Sequence, residues 1–234
     1  MRDRSAILAG LAFLWLAVAC ASPGGIVWAT GPGSRTSDGL QRVRWSDLGA
    51  LFLKPGAPMQ QYHRVLLEPL KIAPASADEE HRGFVPTPNY PPTPEYLVRM
   101  QGLYHDSLAQ ELGRNGFELV SAPGPDVIQL SGYVIDLILT APLDPQDQAR
   151  NSSIVRSFGE LTLVLDLRDA TSGTPLLRAI DRQQISSDPL TGAVTNSVAA
   201  NLSAQRDLFD HQALLLRTRV QELQQQPAPA APSP

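Results

Sequence analysis

The 234-residue chain carries 19 basic and 23 acidic side chains, and its 43% hydrophobic content is ordinary for a folded domain. A formal charge of −4 argues against nucleic acid as a partner and against holding an anionic headgroup surface by charge. Beyond residue 20 no apolar stretch could span a bilayer.

The first 20 residues, MRDRSAILAGLAFLWLAVAC, open with Arg2 and Arg4 and continue as an apolar run. The run suits a signal h-region and is short for a membrane span. It closes on Ala17-Val18-Ala19 before Cys20, the only cysteine. The segment resembles a bacterial lipoprotein signal, although Ala17 stands where leucine is commonest and Leu16 lies one residue earlier. The resemblance implies cleavage before Cys20 and lipid on its thiol and new amino group. The alternative is an ordinary secretory signal with a chance cysteine. Several acyl chains make release from the membrane negligible, where one holds only marginally. In lipoproteins of this type aspartate after the cysteine tends to retain the protein in the inner membrane. Ala21 therefore implies the outer membrane, facing the periplasm. Removing 19 residues from 234 leaves 215, with 17 basic and 22 acidic side chains and a formal charge of −5. With Cys20 acylated, no thiol is left for a disulfide or a metal.

Four segments are expected: signal peptide 1–19, lipidated Cys20 and flexible tether 20–44, one domain 45–223, and a disordered tail 224–234. The tether is rich in Gly, Ser, Thr and Pro. As a coil, its 24 residues after Cys20 would hold the domain about 25–30 Å from the membrane. The alternative is a segment packed on the domain through Ile26 and Trp28. Ser46 or Asp47 could cap a short helical turn through Leu48, Leu51 and Phe52. Lys54-Pro55-Gly56-Ala57-Pro58 turns the chain. Tyr62 to Leu70 alternates as a strand. Residues 73–94 form a long proline-rich loop, of a length that is often functional.

Thr93-Pro94-Glu95 is a helix start, with Thr as cap, Pro in the first turn and an acid at the positive end. Leu97, Met100, Tyr104, Leu108 and Leu112 make one apolar stripe, and Asn115-Gly116 ends it. Phe117 to Val120 is a short strand, and Val127 to Thr140 is a long apolar one, expected at the sheet centre. Glu160 to Arg168 alternates, with Leu161, Leu163, Leu165 and Leu167 facing in. Asp169 to Gly173 turns into a partner strand, Leu176 to Gln184. The last helix carries Val198, Leu202, Phe209, Ala213, Leu216, Val220 and Leu223 on one face, with a break expected near Asp207. The order predicts an α+β fold: a mostly antiparallel sheet of about five strands, with two main helices on one face.

Phe52 to Ala57 (FLKPGA), Tyr62 to Leu70 (YHRVLLEPL), Pro123 to Leu130 (PGPDVIQL), Gly159 to Arg182 and the Phe209-Asp210 helix occur here in one order. Together they resemble an uncharacterised family of proteobacterial lipoproteins, the domain of unknown function DUF3313. The resemblance covers most of residues 45–223 and implies periplasm-facing lipoproteins with no assigned activity. The element order is also similar to that of small lipoproteins that regulate or build envelope machines, which is an analogy of fold only.

No cofactor or metal site is expected. His63, His81, His105 and His211 lack the H-E-x-x-H spacing, and Glu79-Glu80-His81 reads as a solvated acidic patch. Nucleophile elbow, P-loop and dinucleotide fingerprint are absent. The outward row of Glu160, Thr162, Asp166 and Arg168, with Arg178 and Arg182 on the partner strand, is the candidate binding surface. The competing reading is cross-strand pairing on a wet face. These features predict no enzyme. They predict a binding or accessory module, held to the membrane by lipid on Cys20, for another envelope protein or the cell wall. Two alternatives remain. A hydrolase would need His63, His105 or His211 beside an acid and a hydroxyl. A small-molecule or lipid carrier would need an enclosed apolar cavity.

Overall fold

The computed structural model describes residues 26–74, 90–141, 154–186 and 193–225. The signal run, Cys20, the patch at Glu79-Glu80-His81 and the tail beyond 225 lie outside them.

The strands are β1 (Gln41–Arg42), β2 (Ala50–Leu53), β3 (Arg64–Leu67), β4 (Lys71–Pro74), β5 (Glu118–Leu119), β6 (Val127–Leu139), β7 (Ile154–Val155), β8 (Gly159–Asp169), β9 (Pro175–Ile185) and β10 (Val194–Thr195). The helices are α1 (Pro94–Arg114) and α2 (Val198–Gln225), with a 3-10 turn at Met59–Gln61. Among the described residues, eight strands form one sheet in the order β1-β2-β9-β8-β6-β3-β5, with β4 also on β6; β7 and β10 pair separately.

This corrects the expected five, mostly antiparallel, strands. The sheet is mixed: β3 and β4 both run parallel to β6, and β5 runs parallel to β3. The physical reason is α1, which carries the chain back over the sheet between β3 and β5, so that the next strand repeats the direction of the first. The predicted strand Tyr62 to Leu70 is interrupted as well. β3 ends at Leu67 and pairing with β6 resumes at Lys71. Between them lies Pro69, which has no N–H for the ladder. The antiparallel half, β6-β8-β9-β2, follows the alternation closely, and Leu161, Leu163, Leu165 and Leu167 are all buried.

Helix α1 starts as its sequence dictates. The Thr93 hydroxyl accepts from the Tyr96 N–H at 3.2 Å, and Gly116 ends the helix with φ +82°. Met100, Tyr104, Leu108 and Leu112 are buried, while Leu97 is half-buried. Helix α2 runs unbroken through Asp207, against the expected break. Both helices cover one sheet face, as predicted. Tyr104 of α1 meets Phe209 of α2 edge-on at 5.9 Å and lies over Gly132 of β6. A Cβ at Gly132 would come within 2.5 Å of Tyr104 Cζ, so glycine is what allows the ring to sit on the backbone.

Two further expectations fail. Residues 26–44 are not a flexible tether. Trp28 bridges Val43, β1 pairs with β2, Leu40 and Val43 are buried, and Ile26 and Trp28 pack on the core. The buried Gln41 amide donates to Ala29 O at 2.7 Å and its carbonyl accepts from Arg35 Nε at 2.8 Å. Two buried aliphatics and one glutamine offset a glycine-rich composition, because each satisfies a specific position. Nor does Ser46 start a helical turn. Its hydroxyl accepts from Leu48 N at 3.0 Å, and Ala50–Leu53 then extends as β2 beside β9.

Candidate recognition face of the sheet

Side chains alternate across the pleat, so register assigns the two faces. Leu51, Ala179, Leu165 and Gly132 are cross-strand neighbours beneath the helices. The next row, Ala50, Ile180, Val164 and Tyr133, therefore points away from the helices. Ile180, Val164 and Tyr133 are half-buried and form an apolar centre. On one side lies the row Phe52, Arg178, Asp166 and Ser131; on the other lie Arg182, Thr162 and Ile135.

The charges on this face pair with one another. Asp166 is 5% exposed. Its carboxylate accepts from Arg168 Nε at 2.7 Å and lies 3.1 Å from an Arg178 terminal nitrogen. That guanidinium also donates to Asp38 at 2.8 Å, and Arg168 lies 3.7 Å from Asp38. Arg182 donates to Glu160 at 2.5 Å. Further along, Glu68 accepts from the Gln129 amide at 2.5 Å and the Ser131 hydroxyl at 3.1 Å. Lys71 stands 3.6 Å from Glu68 and 5.1 Å above the Tyr133 ring. The three arginines proposed from sequence thus lie on one face, each with a carboxylate partner. They are not a free cationic site. Asp38, Glu68 and Tyr133 are members that sequence reading missed: Asp38 sits in the supposed tether, Tyr133 joins the face through its antiparallel register with Val164, and Glu68 is brought beside it by the parallel pairing of β3 with β6, which spacing does not reveal.

Helix α2 carries an unforeseen polar stretch on its inner side. Val198 and Leu202 are only half-buried, whereas Asn201, Gln205 and Gln212 are buried. Gln212 donates to Asp181 at 3.0 Å, and Gln183 donates to the same oxygen at 2.5 Å. Asp181 follows Leu177 and Ala179 on the covered face of β9, so the inner side of α2 must offer a donor there.

The three described histidines are scattered. His63 lines a shallow cavity of about 200 Å³ with Gln60, Asn115, Gly116, Phe117 and Gln224, a lining without hydroxyl or carboxylate. His105 stands 3.7 Å from Asp106, both well exposed, and His211 is exposed on α2. A second crevice, between the Ser46 turn and α2, measures about 40 Å³. Both are below the size usual for small-molecule pockets, roughly 300–1,000 Å³.

Among the described residues three aspartates titrate low: Asp126, beside the Arg64 guanidinium, and Asp38 and Asp169. A Thr36 hydroxyl contact and then the Arg178 guanidinium hold Asp38 below the usual carboxylate range, against its burial. At the β8–β9 turn, burial pushes Asp169 up. Donation from Ser172 N, the Ser172 hydroxyl and the Tyr62 hydroxyl outweighs it and leaves the group low. A carboxylate lowered in the folded state stabilises the fold at pH values above its unfolded value. That contribution disappears as pH falls through the lowered one. The melting temperature should therefore be flat near neutrality and fall below about pH 4. A pH series of thermal melts checks this, and Asp169→Ala should flatten the acid limb; an unchanged limb in that variant would refute the assignment.

The geometry defines a class: an α+β domain with two helices on one face of a mixed sheet and a charge-paired face on the other. The chain belongs to the family described as protein of unknown function (DUF3313), whose family model matches residues 33–211. The match begins twelve residues ahead of the domain boundary expected at 45, within the segment that folds onto β2. No curated protein matches the sequence significantly. Among solved structures, the PelC dodecamer from Paraburkholderia phytofirmans is 11% identical, covering 70% of this chain and 96% of that one at a TM-score of 0.35. A DUF330-family protein from Xanthomonas campestris is 13% identical (68% and 87% covered, TM-score 0.34). A minor lipoprotein from Acinetobacter baumannii is also 13% identical (68% and 91% covered, TM-score 0.31). At such scores these likenesses carry no functional argument. Among the described residues no helix is long and apolar enough to cross a membrane.

Proposed function

We propose that this chain is a lipoprotein, anchored through Cys20 in the outer membrane and facing the periplasm, that serves as a non-catalytic binding module for another envelope component. The observation that carries this reading is the sheet face opposite the helices. It has a half-buried apolar centre of Tyr133, Val164 and Ile180, bordered by mutually paired charges. An apolar patch within a polar rim is the anatomy of a protein-recognition surface. Paired charges there set register and exclude wrong partners more than they add affinity. The lipid anchor is supported by the run into Cys20.

The test is site-specific photo-crosslinking in intact cells. Ile135, on this face and 38% exposed, is replaced by a photoreactive residue, with Val98 on α1, 66% exposed, as the control position. A discrete adduct at 135 and none at 98 supports the reading. Equal, diffuse labelling at both positions would defeat it.

A further inference from the structure

Ile26 follows Cys20 by six residues, which span at most about 20 Å when fully extended. A domain anchored at Cys20 is therefore held with the ribbon around Ile26 close to the bilayer. In that ribbon Ala29 N donates to Arg42 O at 2.9 Å and Arg44 N to Val27 O at 2.8 Å, with Trp28 opposite Val43. Trp28 and Val43 turn toward the core, so alternation sends Val27, Arg42 and Arg44 outward. Val27 is 49% exposed and the adjoining Trp45 is 72% exposed, the Arg44 guanidinium 5.3 Å from its ring centre. Neither Arg42 nor Arg44 makes an ion pair among the described residues. Within residues 26–46, Arg35, Arg42 and Arg44 face one acid, Asp38, which Arg178 already holds. A chain that is acidic as a whole is thus locally basic, with an exposed indole, where its anchor begins.

We infer that the ribbon of residues 26–29 and 42–45 seats on an anionic phospholipid surface, with Trp45 and Val27 at the headgroup boundary and Arg42 and Arg44 on phosphates. This rests on the Cys20 anchor. Indole rings favour the headgroup level, and arginines near an anionic surface are attracted within a Debye length. The anchor supplies a high effective concentration, so contacts too weak to recruit a free protein suffice to orient a tethered one. The acidic remainder of the domain is repelled, which favours the same pose.

The test uses the acylated protein purified from membranes and reconstituted in vesicles of phosphatidylglycerol and phosphatidylethanolamine. The lipids are plain, or brominated near the glycerol end of the acyl chains. In a Trp28→Phe background Trp45 is the sole indole after the signal segment, and its emission should fall on bromination. Arg42→Glu/Arg44→Glu should abolish the quenching. Should Trp28→Phe not fold, the difference between wild type and Trp45→Phe gives the same readout. Intact mass of the same sample reports the acyl groups. Absence of lipid removes the anchor and the seating together; lipidated protein with unquenched Trp45 overturns the seating alone.

Discussion

Gly132→Ala is expected to destabilise the domain by about 3 kcal/mol, the upper part of the range for overpacking a core. A methyl group there meets Tyr104 Cζ at 2.5 Å and Cε2 at 2.7 Å. The ring has nowhere to retreat, because Phe209 abuts it and Tyr104 is 1% exposed. Tyr104→Phe should not relieve the clash, since Cζ remains. Tyr104→Leu removes the ring, and adding Gly132→Ala to it should then cost little. Urea unfolding of the four proteins in this cycle measures the coupling, expected at about 2–3 kcal/mol. Additive costs would mean that the helix does not rest on the sheet at this point.

Asp166→Ala should destabilise by about 2–3 kcal/mol, because removing one member of a buried charge cluster leaves the others uncompensated. The figure sits below that of a fully enclosed pair because Arg178 and Arg168 are 20% and 33% exposed and can recover some hydration. Asp38→Ala removes a more exposed carboxylate and should cost about 1 kcal/mol or less. Denaturant titrations of both variants at neutral pH decide the order. Equal effects would show that burial of Asp166 adds nothing. The pair also separates fold from recognition. Asp38→Ala leaves Asp166 to hold both arginines, so a loss of crosslinking at position 135 in that variant would follow from altered charge on the face rather than from unfolding.

What the sequence reveals here is what neighbouring residues decide among themselves. Thr93 caps α1, the leucines of β8 face the core, and Asp169 accepts from the amides of its own turn, all within a few positions along the chain. What it conceals depends on distant partners. Leu40 and Val43 give no period, yet both are buried once β1 lies beside β2. Asp166 falls on an outward position but is enclosed by arginines of its own and the next strand and by Asp38. Gln212 breaks the apolar stripe of α2 because Asp181 waits beneath it. One local signal was there to read: Pro69 inside the first strand marks its interruption. The parallel direction of β6 follows from the helix before it, a relation of topology that alternation alone does not express.

The pairing of β2 with β9 has a consequence for how the chain reaches its fold. Leu51 lies against Ala179, roughly 130 residues later, and such distant closures slow folding. Synthesis delivers β2 early and its neighbour late. Throughout that interval the aliphatic edge Ala50–Leu53 has no sheet to join, and β1, which pairs with β2, waits with it. The beginning of this domain is therefore the part finished last, and a nascent chain of this type needs protection against self-association until β9 emerges.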